Sequence, residues 1–159
     1  MDNILSIYGL IFIIMFAIVL IRIVISAETK GRIRDLKGNS LEVTPEEFFQ
    51  LRNRKKAFNN RKNISTDMDF AGIYIIYNKT RNMYYIGQSK NVFKRVNSHF
   101  TGKGNGDVYA DYKYGNQFTI SMIALEGSGF STLNALEKNA ISTYNAYSKG
   151  YNKTKGNRG

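Results

Sequence analysis

The run from Ile4 to Ile25, ILSIYGLIFIIMFAIVLIRIVI, constrains this chain more than any other feature. Only Ser6, Gly9 and Arg22 interrupt it. As a helix rising ~1.5 Å per residue it reaches about 33 Å, enough for a hydrocarbon core of roughly 30 Å. It has no polar face, which argues against the amphipathic helix of a soluble core. Arg22 sits near one end, where its long stem can carry the charge to the interface. A cleaved signal peptide is the competing reading, and Ala27 would supply a small cleavage-site residue. The start Met1-Asp2-Asn3 carries no basic residue, however, and the run is longer than a signal core. The expectation is a single-pass anchor over residues 1–26. Asp2 precedes the span, whereas Arg22, Lys30, Arg32, Arg34 and Lys37 lie at or after its end. Positive charge stays on the cytoplasmic side, so the reading is a cell-membrane protein with its N-terminus outside and the remainder cytoplasmic.

The chain has no cysteine, which excludes disulfides, thiol catalysis and Cys-based zinc sites. Its net charge of +11 calls for an anionic partner. Nucleic acid and anionic lipid both qualify, and different segments can serve each.

Residues 27–66 read as a basic linker: a charged connector to about residue 43, then a helix near 45–59. Thr44 can cap that helix, Pro45 suits its first position and Glu47 can close a capping box. Arg52, Arg54, Lys55, Lys56, Arg61 and Lys62 make its second half basic, as a solvated linker, a phosphate-binding helix or an anionic-lipid contact. Asn63–Asp69 reads as a loop. From Phe70 the pattern changes. Gly72–Tyr77 and Met83–Gln88 are aromatic and β-branched, and Asn78-Lys79-Thr80-Arg81-Asn82 between them has turn chemistry, so they predict a hairpin. Asn91 is a candidate cap for a helix to Phe100, with Arg95 and His99 four residues apart at the edge of its apolar face. A Gly- and Tyr-rich stretch follows, with a short helix near Val108–Tyr114. Gln117–Leu125 reads as a third strand. A last helix runs from a Ser131 cap to about Tyr147, and residues 153–159 form a basic tail.

Leu133, Leu136, Ala140, Ile141, Tyr144 and Tyr147 define the apolar stripe of that last helix, and Glu137 falls inside it. A carboxylate facing a core needs a partner, a proton or a metal, so Glu137 is either a structural hydrogen-bonding residue or a functional one. Asp107 and Asp111 suit solvation or turn formation. His99, the only histidine, is structural, or orients Tyr74, or holds a phosphate. Arg95 offers a planar fork for two phosphate oxygens. Asn152, in Gly150-Tyr151-Asn152, has the character of a residue that binds local backbone.

Gly72-Ile73-Tyr74 and Tyr85-Ile86-Gly87, separated by ten residues, resemble the signature of the GIY-YIG nuclease family. The basic helix, Glu137 and Asn152 follow in the family's order, and the resemblance covers Phe70 to Asn152. It implies an α+β domain (residues 67–152) with a three-stranded antiparallel sheet flanked by helices, behind the anchor and linker. It implies DNA phosphodiester hydrolysis with one Mg²⁺ or Mn²⁺ ion at Glu137, because a single carboxylate suffices when waters and substrate phosphate complete the octahedron. By motif position, Tyr74 assists or acts as general base, Tyr85 orients water and phosphate, Arg95 stabilises the phosphoryl group and Asn152 supports the site; His99 joins this catalytic set. Lys94, Lys103, Lys153 and Lys155 are candidate DNA-backbone contacts. No zinc-finger spacing or helix-turn-helix pair is evident, so weak sequence specificity is expected. A cytoplasmic nuclease under the membrane would meet incoming foreign DNA. The alternative is a catalytically silent, membrane-tethered DNA-binding or assembly module.

Overall fold

The computed structural model describes residues 2–62 and 69–156. Its first helix, α1 (Asp2–Gly38), begins as the apolar run and does not stop where that run ends. The connector expected after residue 26 is helical up to Gly38. Its polar residues contain no proline, and Ile33 and Leu36 give it an apolar side to bury. The two halves of α1 differ in environment. From Ile7 to Ile25 the apolar stretch is exposed all round, with Phe12 at 71% and Tyr8 at 68%, whereas Ile33 is fully buried.

A turn, tied by a contact between the Lys37 ammonium and the Glu42 carboxylate, leads into β1 (Glu42–Val43). Helix α2 (Pro45–Lys62) starts with the expected capping box: Thr44 N donates to Glu47 Oε2 at 2.8 Å and Glu47 N to Thr44 Oγ1 at 3.2 Å. The loop expected over 63–69, apart from Asp69, and the basic side chains expected beyond Asn53 lie outside the described residues and side chains.

The hairpin forms as β2 (Gly72–Asn78) and β3 (Met83–Ser89), joined by a turn with Asn82 in the left-handed region at φ 52°. Helices α3 (Val92–Phe100) and α4 (Gly106–Lys113) follow, then β4 (Phe118–Ala124) and α5 (Leu133–Thr143). Among the described residues the sheet has four antiparallel strands in the order β1-β4-β2-β3, which corrects the expected three. The extra strand is two residues long, too short to show alternation, and it exists because Val43 buries itself beside Ile120 on the β4 edge.

Two apolar layers hold the sheet. On one face Tyr74, Ile76 and Ile120 pack with Phe48, Val96, Phe100 and Val108 of α2, α3 and α4. On the other, Ile73, Ile75, Ile86 and Ile123 pack with Leu136, Ala140 and Ile141 of α5 and with Ile33 of α1. Two caps differ from expectation. Asn91 makes no side-chain capping bond; the Asp69 carboxylate instead accepts from Phe93 N (2.8 Å) and Lys94 N (3.0 Å). Thr132, one residue after Ser131, caps α5 by accepting from Ala135 N at 3.1 Å. That helix ends at Thr143, and turns carry the chain past Tyr147.

Candidate active site

The two tripeptides interlock across the hairpin. The register pairs Tyr74 with Gly87 and Ile76 with Tyr85, so both tyrosines lie on the face shared with α3, their ring centroids 6.0 Å apart. The Tyr74 phenol crosses directly over Gly87: a Cβ there would stand 2.1 Å from its hydroxyl oxygen. A Cβ on Gly72 would stand 2.2 Å from the Ile123 carbonyl oxygen of β4. Close approach therefore demands glycine at both ends of the pair.

Behind Tyr74 lies His99, fully buried. Asn105 N donates to His99 Nδ1 at 2.8 Å, and His99 Nε2 lies 3.0 Å from the Tyr74 hydroxyl. A backbone N–H can only donate, so Nδ1 is the acceptor and the neutral ring carries its proton on Nε2. That proton is donated to the Tyr74 oxygen. Burial, then the positive charge of Arg95, pulls the His99 pKa down to about 4. Burial, then neighbouring Tyr85, pushes the Tyr74 phenol well above its ordinary value, and Arg95 offsets only part of the rise. The exposed Arg95 side chain stands on α3 one turn before His99.

Glu137 reaches the same region from the opposite side of the sheet. It is 8% exposed on α5, and its Oε2 accepts from Gln88 Nε2 at 2.9 Å. Gln88 belongs to β3, an edge strand, so this carboxylate and the tyrosine face meet around that edge. Asn152 closes the edge: its Oδ1 accepts from Ile86 N at 2.9 Å and its Nδ2 donates to Ile86 O at 2.7 Å. Tyr74, Tyr85, Arg95, Glu137 and Asn152 all line one cleft of about 310 Å³. A wider groove between the start of α2 and the end of α4, about 510 Å³, gathers none of them.

Among the described residues no three acidic or imidazole groups cluster as a metal cage. The cleft has one carboxylate and open volume beside it, a donor set that fits a hard ion of the Mg²⁺ type, which retains waters and takes its remaining oxygens from substrate.

A family model, the GIY-YIG catalytic domain, matches residues 70–152, more than half of the chain. The chain belongs to the GIY-YIG family. Comparisons with curated proteins and with solved structures found no match. Membership supports a nuclease acting on DNA. This GIY-YIG domain has the α+β architecture expected of it, and its sheet gains β1 from outside the matched region.

Of the four candidate DNA-contact lysines, Lys153 lines the cleft and the other three lie outside its lining. Lys94 and Lys103 are exposed near α3, Lys153 pairs with Asp107 at 2.8 Å, and the Lys155 ammonium lies 5.7 Å from the centre of the Tyr147 ring. Sequence reasoning missed several residues that shape the site. Asp69 fixes the start of α3. Asn105 sets the His99 tautomer. Asp111, read from sequence as a solvated turn residue, accepts from Tyr151 Oη at 2.5 Å and pairs with Arg81 at 3.0 Å, tying α4 to the segment that carries Asn152. Only Gln88 carried a usable signal: it follows the Tyr85-Ile86-Gly87 motif directly, and strand alternation turns it toward α5.

Proposed function

We propose that this protein is a membrane-anchored, divalent-metal-dependent DNA endonuclease of weak sequence specificity, and that Tyr74, Tyr85, Arg95, His99, Glu137 and Asn152 form its active site. The observation that carries the proposal is the convergence of a phenol pair, a guanidinium and a single carboxylate on one cleft. Arg95, exposed at the rim, binds two oxygens of the scissile phosphate and offsets the charge that builds as water attacks phosphorus. At neutral pH Tyr74 is a phenol. It orients the attacking water, and His99 steadies the phenol oxygen through its Nε2 proton. His99 cannot take the phenol's proton, because that nitrogen is already protonated. Loss of the phenol proton to solvent, favoured by Arg95 and by the His99 N–H, gives the phenolate that takes the attacking water's proton, and solvent protonates the leaving 3′ oxygen. Tyr85 packs against both rings and orients the phosphate. Asn152 holds the β3 edge in place. Glu137 would hold a Mg²⁺ or Mn²⁺ ion, which when bound supplies charge for the scissile phosphate and the leaving 3′ oxygen.

Anchoring is supported by the exposure on every side of the apolar stretch of α1 from Ile7 to Ile25, an arrangement that is costly in water. The basic residues after the span favour a cytoplasmic nuclease domain. From that position it acts on incoming foreign DNA. The test is a plasmid-nicking assay on the full chain in detergent micelles, with Mg²⁺ or EDTA, beside Glu137→Ala and Arg95→Ala. Metal-dependent nicking by the wild type, lost in both variants, is the expected result. Plasmid retention with no nicking by the wild type would overturn the enzyme reading and favour the silent DNA-binding module. Deleting residues 1–26 should spare nicking and abolish any effect on DNA uptake or phage infection.

A further inference from the structure

The carboxylate of Glu137 does not enter the cleft alone. Gln88 Nε2 lies 2.9 Å from Glu137 Oε2 and 2.6 Å from Asn134 Oδ1. Neither amide has a choice of orientation. A carboxylate only accepts, so Gln88 must turn its NH₂ toward Glu137; the same NH₂ then needs an oxygen from Asn134. Asn134 and Glu137 are three residues apart on α5 and so stand on the same helix face. Gln88 comes from the facing edge strand and spans both. The result is a clamp in which each of the two amide protons has an acceptor, and the carboxylate is held at the cleft rim.

We propose that Gln88 is a positioning residue for Glu137, and that Asn134 acts through Gln88 by fixing its amide. The proposal rests on the reading of Glu137 as the metal ligand. Partners that orient a ligating carboxylate act on metal affinity, commonly by 10–100-fold. They do so by restricting the rotamers the carboxylate must otherwise give up on binding. Gln88 and Asn134 therefore set how tightly the cleft takes its ion, and leave the chemistry at saturating ion to Arg95 and the tyrosines.

The test is Mn²⁺ binding to the full chain in detergent micelles with a DNA oligonucleotide present, corrected for the DNA alone and followed by electron paramagnetic resonance, with thermal midpoints measured on the same samples. Gln88→Met keeps the volume and removes the donor. It should weaken Mn²⁺ binding by about 10–100-fold while the chain still unfolds cooperatively, at a midpoint lowered but above the assay temperature. Asn134→Leu should weaken it less, and the double variant should bind no worse than Gln88→Met, because both changes break one clamp. The Mg²⁺ midpoint for nicking should rise in parallel while the rate at saturating Mg²⁺ stays within about twofold of wild type, a split that simple loss of structure would not produce. Wild-type Mn²⁺ affinity in Gln88→Met, or full additivity in the double variant, overturns the positioning role while leaving Glu137 as ligand. A wild-type chain that binds no Mn²⁺ overturns both readings.

Discussion

At the scale of single residues, the glycines and the histidine of the site are dictated by contacts made through space. Gly87→Ala would drive a methyl into the Tyr74 phenol, where 2.1 Å is available. Overpacking of this kind costs about 1–3 kcal/mol and displaces the ring. Urea unfolding should show the loss, and nicking should fall with it; a Gly87→Ala variant as stable and active as wild type would contradict the contact. His99 makes a pH prediction. Its folded pKa of about 4 lies below the ordinary value near 6.5, so the unfolded chain binds a proton that the folded chain refuses. Stability from this group is complete above about pH 6.5 and is lost as pH falls through 4, a difference of about 3 kcal/mol across the window. As the chain holds one histidine, the slope between about pH 5 and 6.5 reports His99 before the carboxylates titrate. His99→Gln should flatten that slope in chemical unfolding measured at successive pH values.

Among the elements, α1 and β1 pack onto the core of the GIY-YIG domain. Ile33 belongs to the same apolar layer as Leu136 and Ile141, Arg32 Nη1 donates to Gly129 O at 3.2 Å, and β1 covers the free edge of β4. The family match begins at residue 70, yet the core reaches back to Ile33. Ile33→Ala should cost about 2–5 kcal/mol, as deletion of a buried aliphatic side chain does. A chain beginning at Ala27 should fold and nick DNA, whereas one beginning after residue 66 should melt at a lower temperature or aggregate through its uncovered edge. Equal thermal midpoints for the two would show the early segment to be dispensable. The hairpin, the basic helix and the last helix were legible because each is long enough to display its period and its turn residues. The strand at Glu42–Val43 was not, since two residues carry no period. The cap of α3 was not either, because Asp69 lies 24 residues from Phe93 and no local rule reaches that far.

For the molecule as a whole, charge and the continuity of α1 set how the nuclease meets DNA. On the proposed reading, the net charge of +11 and exposed lysines such as Lys94, Lys103, Lys153 and Lys155 draw DNA affinity from phosphates. With about four such contacts, raising salt from ~50 to ~200 mM should weaken DNA binding by roughly 100-fold. A shallow salt dependence in fluorescence anisotropy would instead point to base contacts. Because the helix that leaves the apolar stretch is the helix that packs on α5, no irregular segment separates the two among the described residues. On the reading of α1 as an anchor, the cleft is held at a set distance and angle from the bilayer.

The sequence by itself determined the apolar span, the basic balance, the paired tripeptides and the glutamate inside an apolar stripe, since each is a local pattern of spacing and polarity. Tertiary structure alone decided that His99 donates to Tyr74, that Gln88 and Asn134 grip Glu137, that Asn152 seals the β3 edge and that α1 joins the core. Those outcomes depend on which distant backbone groups come to lie within hydrogen-bonding or packing distance once the sheet has formed, and a linear pattern of residues carries no measure of that distance.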